Sequence, residues 1–283
     1  MQLLKIRGFS EFFTDSFQFI KINAVHFFTN YFIINGLFLI LYFVFNYFNS
    51  NDSQLPGFLV VIGVILLIFF YIINFSFVPI YMILYQEKGT QFNHNDILKY
   101  MSQNAGKILI FVLITLILSI PIFIAFYISA ILVAITIVGI LFLPLLFAAF
   151  FLWLQMTYYE YLYSNKNYFD CMGYGFTLFT KKFWATTAST ALLYTIIMVV
   201  YFLALGFTGF FSSLLEINFT DPESIAGIET IFKSPVVLII GTAVSVLYAL
   251  INISQGIIYF SQKELLEGIQ TKLNIDDIGK DEL

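Results

Sequence analysis

Residues 107–160 read KILIFVLITLILSIPIFIAFYISAILVAITIVGILFLPLLFAAFFLWLQMTYYE. Between Lys107 and Glu160 lie 52 residues without one charged side chain. A helix needs about 20 apolar residues to cross a bilayer, so this stretch holds two spans and a reversal. Nothing in it alternates with period two over the length of a barrel strand, which leaves the α-helix as the spanning structure. The composition of the flanks agrees. The 283-residue chain is 60% hydrophobic, 20% aromatic and only 11% charged, against about 25% charged in an average soluble chain. The class is an all-α integral membrane protein.

Read outward from this stretch, the hydropathy predicts six transmembrane helices, at about 27–48, 57–85, 108–128, 132–160, 183–211 and 235–261. The turn between the third and fourth spans has no Gly, Pro or Asn cluster and is placed near Ser129. The first apolar run starts near Phe27, and no small-x-small pattern follows it at Asn49-Ser50-Asn51, so the first span is expected to stay in the mature protein. A single cysteine, Cys171, excludes an internal disulfide and a Cys-rich metal site and reads as an apolar filler. The 36 Phe and 18 Tyr beside 6 Pro suggest a low-GC bacterial genome.

Six spans put both termini on one side, and the charges are one-sided. Of 13 basic residues, all but Lys233 fall in the N-terminal stretch, the segments 86–107 and 161–182, or the tail. Lys and Arg near span ends stay cytoplasmic, so both termini are expected there, in the cytoplasmic membrane. The last four residues, Lys280-Asp281-Glu282-Leu283, spell an endoplasmic-reticulum retrieval address. From the cytosol no lumenal receptor could read it, and it is taken as the end of a charged tail. Asn51-Asp52-Ser53 and Asn218-Phe219-Thr220 fit the glycosylation pattern but carry no meaning in a bacterium. The loop 212–234 is expected outside, with a short helix opened by Thr220-Asp221-Pro222-Glu223.

Internal repetition organises the rest. DSFQFIKINAVH (15–26) and DILKYMSQNAGK (96–107) share an opening Asp, Asn-Ala eight and nine residues on, and a base eleven residues after the Asp. DCMGYGFTLFTK (170–181) keeps the Asp and the base. The candidate interfacial acid/base pairs are thus Asp15 with His26, Asp96 with Lys107, and Asp170 with Lys181. Eleven residues of helix make about three turns, an amphipathic helix that would lie in the headgroup layer before each odd-numbered span. LQMTYYEYLYSNK (154–166) aligns with INISQGIIYFSQK (251–263), and INFSFVPIYMILYQEK (73–88) shares their start and finish. The chain therefore reads as one transmembrane domain, 1–266, of three repeated hairpins at about 9–88, 93–166 and 167–266, each preceded by an interfacial helix, and a charged cytoplasmic tail, 267–283. Successive units share one orientation, so a pseudo-threefold axis along the membrane normal is expected rather than an inverted repeat.

The even-numbered spans repeat an amide and a hydroxyl two residues apart: Asn74 with Ser76, Gln155 with Thr157, and Asn252 with Ser254. Unsatisfied amides do not face lipid, so these six are expected to point inward as an intramembrane polar cluster. They serve interhelical hydrogen bonding or line a small polar cavity. Glu160, among Tyr158, Tyr159, Tyr161 and Tyr163, reads as part of an interfacial aromatic belt. His26 and His94 precede different spans and have no neighbouring metal ligand, so no metal site, no cofactor and no catalytic residue is expected. No midplane acid or base is found for proton coupling. The bases are balanced by acids, which leaves no nucleic-acid footprint.

The pattern D-x7-N-A-x-[HK], with the amide-x-hydroxyl pairs, resembles a loose group of bacterial six-helix membrane proteins built from three amphipathic-helix-plus-hairpin units. It is similar to the membrane domain of some glycerophosphodiester phosphodiesterases. There is no phosphodiesterase catalytic domain, so that activity is not carried over. The resemblance implies an accessory or scaffolding role in the membrane, with lipid and a membrane protein as partners and no enzymatic activity. The alternative is a permease or carrier for a small or amphipathic molecule.

Overall fold

The computed structural model describes residues 1–50, 57–134, 137–214 and 235–269. Among them are eight α-helices and no strand: α1 Phe9–Ser50, α2 Gly57–Lys88, α3 His94–Gln103, α4 Ala105–Ala134, α5 Ile137–Tyr163, α6 Tyr168–Lys181, α7 Phe183–Leu214 and α8 Pro235–Glu267. Four are long and apolar enough to cross a membrane, over Val61–Lys88, Ala105–Ser129, Phe142–Tyr163 and Phe183–Ala204. The predicted spans 27–48 and 235–261 fall on α1 and α8. The loop 212–234, apart from its first three residues in α7, and the tail after 269 lie outside the described residues.

Local chemistry accounts for the short helices. Asn93 caps α3: its side chain accepts from the Asn95 and Asp96 N–H groups, while Asp96 accepts from the Asn93 N–H at 3.0 Å, a reciprocal capping box. Asn167 caps α6 and accepts from the Asp170 N–H at 2.9 Å. The recurring Asp is therefore a residue of the first turn in α3 and α6, where the helix dipole favours it. In α1 it lies deeper. Asn23 and Asn104, the shared Asn of the first two copies, each donate to the carbonyl four residues earlier, Phe19 and Tyr100. Asn104 also ends α3. Gly89 (φ 61°) closes α2, its N–H reaching the Tyr85 carbonyl in the left-handed cap only glycine adopts easily.

Three boundaries differ from expectation. α1 is one helix of 42 residues, with no break between the amphipathic stretch and the span. Lys107 belongs to α4 rather than to the helix of Asp96, because α3 ends at its C-cap Asn104 and α4 begins at Ala105. α4 continues through Ser129, whose hydroxyl bonds back to the Ala125 carbonyl. α4 runs to Ala134 and α5 begins at Ile137, so the chain does not turn at 129–131. A Ser satisfied within its own helix gives no signal to stop.

α2, α5 and α8 touch one another pairwise, and residues 76–85, 155–162 and 253–264 are buried on every side. α1, α4 and α7 pack outside these three, and α3 and α6 cover the joints: α3 on α1, α2 and α4, and α6 on α5, α7 and α8. Burial is concentrated at one end. Of the described residues of α4, only Ile108 and Phe111, in its first turns, are buried, while Leu116, Ile120 and Ile124 lie exposed as a lipid-facing helix requires. The same end gathers residues 1–8, the turn 89–93, the turn 164–167 and the close of α8. Lys182 Nζ donates to the Arg7 carbonyl, and the Arg7 N–H donates to Ser261 Oγ, both at 2.9 Å.

Candidate functional site

The most concentrated chemistry lies at this charged end, where α5, α6 and α8 meet. Glu160, on the last turn of α5, is 1% exposed. Its Oε2 accepts from Lys263 Nζ and from the Tyr259 hydroxyl, each at 2.7 Å, and its Oε1 accepts from Lys166 Nζ at 3.0 Å. Lys263 pairs further with Glu267 at 3.3 Å, one turn along α8, and Glu267 accepts from the Tyr174 hydroxyl of α6. The Lys263 ammonium stands 5.0, 5.1 and 5.7 Å from the ring centres of Tyr163, Tyr174 and Tyr259, and Lys166 stands 4.1 Å from that of Tyr174. Two carboxylates thus meet two ammonium groups inside a box of tyrosine rings, each ring face adding cation–π attraction.

Burial lowers the Lys166 ammonium, but the hydrogen bond and charge of Glu160 outweigh it and the net shift is upward. The Tyr174 hydroxyl is raised by burial and then by donation to Glu267. Chemically the cluster fastens three helices and the turn 164–167. Its carboxylates are already compensated, which leaves little to bind a solute.

A second charged group is sealed beside it. Arg7, 1% exposed, donates through its guanidinium to Asp15 at 2.7 Å and to the carbonyls of Gln2, Leu3 and Lys5. The first eight residues therefore fold over the end of the bundle, with Leu3 and Leu4 in its core.

The residues of the predicted acid/base pairs each have their own surroundings. Asp15 binds Arg7, while His26 sits between the Tyr81 hydroxyl at 2.8 Å and the Phe92 carbonyl at 2.7 Å. Asp96 caps α3 and lies 3.8 Å from Lys88, while Lys107 donates to the Ser164 carbonyl and to Asn165. Asp170 is in the first turn of α6 and Lys181 is exposed at its end. Each residue ties one turn to another, and eleven-residue spacing describes position rather than partnership.

The polar sextet divides by residue type. The division is not complete: Ser76, Thr157 and Ser254 are buried and so is the amide Gln155, whereas Asn74 and Asn252 are half-buried. Ser76 and the Tyr158 hydroxyl are 2.5 Å apart, joining α2 to α5, and Thr157 bonds to its own helix at Trp153. Asn74 accepts from Tyr31, and the Asn252 carbonyl accepts from Tyr159, both at 3.3 Å. Gln155 Nε2 and Ser254 Oγ have no protein partner. Among the described residues no group of three or more His, Cys, Asp or Glu is placed to hold a metal ion.

Sequence reasoning assigned Glu160 to an aromatic belt and missed its ion pairs. One signal was present. Lys166 and Lys263 occupy the same aligned position in LQMTYYEYLYSNK and INISQGIIYFSQK, and both converge on the one carboxylate those segments contain. Comparison of the chain with family models, curated proteins and solved structures finds no match.

Proposed function

We propose that this chain is a non-enzymatic multi-pass protein of a bacterial cytoplasmic membrane that organises lipid, or supports a membrane protein partner, at the cytoplasmic surface. On this reading α1 and α8 complete six spans, both termini are cytoplasmic, and the Lys-Asp-Glu-Leu ending is no retrieval address. The mutual contact of α2, α5 and α8, each the last helix of a repeat, supports the pseudo-threefold arrangement.

One observation carries the proposal. α6 buries Cys171, Gly175, Leu178 and Phe179 against the bundle and turns Phe169 and Phe176 outward, with Trp184 beyond them at the start of α7; the three are 63%, 54% and 69% exposed. Lys181 and Lys182 lie between Phe176 and Trp184. Large rings beside lysines, at the charged end of apolar helices, suit the headgroup layer. The Glu160–Lys263–Glu267 cluster holds α6 rigidly against the bundle, so its outward face is a fixed wedge.

The test uses Trp153→Phe protein, which leaves Trp184 as the only tryptophan, in phosphatidylcholine vesicles brominated near the headgroup or deep in the chain. The shallow bromines should quench Trp184 more strongly. Stronger quenching by the deep label, or none by either, would remove the interfacial role. The second reading, a carrier without proton coupling, draws on the partnerless Gln155 and Ser254 side chains.

A further inference from the structure

Leu193 and Ile197 of α7 pack on Ile251 of α8 in a small apolar cluster separate from the main core. Ile251, Gln255, Ile258 and Gln262 follow one another at spacings of four, three and four, as do Thr186, Thr190, Leu193 and Ile197. Each set is therefore one stripe of its helix, and the contact at Ile251 turns the two stripes towards each other. A second tie fixes the antiparallel register. Lys182, just before α7, donates to the Arg7 carbonyl, and the Arg7 N–H donates to Ser261 of α8. Both stripes are thus apolar at their deep end and carry their polar side chains nearer the charged end. All eight side chains are at most 3% exposed.

The polar part of this seam is not satisfied by the protein. Gln255 Nε2 and both Nε2 and Oε1 of Gln262 are enclosed and have no partner. On α7, Thr186 and Thr190 donate to carbonyls of their own helix, those of Lys182 and Thr186, at 3.1 and 2.9 Å. A hydroxyl that donates still has a lone pair to offer. Thr187 Oγ1, beside them, is enclosed without a partner. Amides on one helix therefore face hydroxyls on the other from beyond hydrogen-bond reach, the separation that a bridging molecule closes. Left unpaired, such groups are costly. The orphaned atoms also select what bridges them. The two amide N–H groups need an acceptor, while the Gln262 carbonyl oxygen needs a donor. A cation would serve only the oxygen and an anion only the N–H groups, and either would give up its hydration to do so. Water does both, and a buried water makes about three hydrogen bonds.

We propose that the seam between α7 and α8 binds a short file of water that bridges Gln255 and Gln262 to Thr186, Thr187 and Thr190. From Gln262 to Gln255 the file runs seven residues, about 10 Å of helix. It begins beside Lys263 at the charged end and stops at Leu193, Ile197 and Ile251. That apolar cluster is its closed end, so the seam is a blind, uncharged, hydrated pocket and not a path across the bilayer. The site goes beyond the reading of the protein as a lipid organiser and does not depend on it.

The experiment places a reporter in the full chain in nanodiscs. Short X-ray pulses split water into hydroxyl radicals, which oxidise a methionine next to the water that produced them. Ile258→Met puts a sulfur on the seam, and Ile253→Met puts one on the opposite face of α8; both positions are fully enclosed. Mass spectrometry should find the sulfur at 258 oxidised several times faster than that at 253. Adding Gln255→Leu/Gln262→Leu should bring the rate at 258 down to that at 253. Each single Leu variant keeps one amide and should give an intermediate rate, so the trend is readable even where the double variant fails to fold. Slow alkylation of the buried Cys171 by N-ethylmaleimide checks the fold of every variant. Equal rates at 258 and 253, slow or fast, would overturn the proposal. So would fast oxidation at 258 that survives loss of both amides. None of these outcomes bears on the depth of Trp184, which tests the lipid reading separately.

Discussion

Lys263 is 5% exposed, with Glu160 and Glu267 facing it and three tyrosine rings around it. Removing one member of a buried pair leaves the other uncompensated and costs about 3–5 kcal/mol, whereas replacing both with apolar groups is often near neutral. Lys263→Met should therefore destabilise the protein by about that amount, and Glu160→Leu/Lys263→Met by much less, as read from denaturation in mixed micelles. A double variant as weak as the single one would show that the cluster does not act as a pair. The pH dependence has a definite sign. Burial, first, raises the Cys171 thiol; for Lys166 burial lowers the ammonium, but its hydrogen bond to the Glu160 carboxylate and that group's charge carry it upward. For groups raised on folding, the stability they contribute is complete below the unfolded value and is lost as pH rises through the folded one. With unfolded values of about 8.5 for Cys and 10.4 for Lys, stability should begin to fall above pH about 8.5. Cys171→Ala should delay the onset; identical pH profiles for the two proteins would refute this.

At the scale of elements, α6 is attached to α5 by close backbone approach. A Cβ on Gly175 would lie 3.0 Å from the backbone N and Cα of Thr157, where there is no flexible group to move aside. Gly175→Ala should cost about 1–3 kcal/mol, and part of the loss should appear as detachment of α6. Cys171, on the same helix and fully buried, reports it: its alkylation by N-ethylmaleimide should be slow in the native protein and many times faster in the variant. Unchanged alkylation would mean that α6 keeps its place. Asn93→Ala removes a capping box, for which about 1 kcal/mol is expected. Its effect should stay within α3, seen as faster amide exchange at 95–103 with no change in Cys171 labelling. The recurring Asp was legible as a short-range pattern, whereas the caps at Asn93 and Asn167 appeared only with the helices they start. Fusion of the first amphipathic stretch with its span was not read, although Val25 stands where the second copy has Gly106, a poorer helix former.

At the scale of the molecule, the turns 89–93 and 164–167 and the close of α8 share one end, and the proposed orientation puts that end in the cytoplasm. In a Cys171→Ala background, a cysteine at Gln91 or Asn165 should resist a membrane-impermeant maleimide in intact cells and react in inverted vesicles, with the opposite pattern for Ser53→Cys. Reaction of Gln91→Cys in intact cells would reverse the orientation. Sequence by itself determined the all-helical class, the approximate place of the apolar helices and the gathering of basic residues, because hydropathy and charge act residue by residue and need no partner to be read. It also marked which helices bear polar groups. Only the tertiary structure decided which of those groups meet. Asp15 found Arg7, Glu160 found Lys263 about a hundred positions away in an aligned segment, and Ser76 found Tyr158. A buried charge or hydroxyl must be satisfied by whatever the packing of α2, α5 and α8 brings within about 3 Å, and helical spacing along one segment carries no record of a neighbour on another.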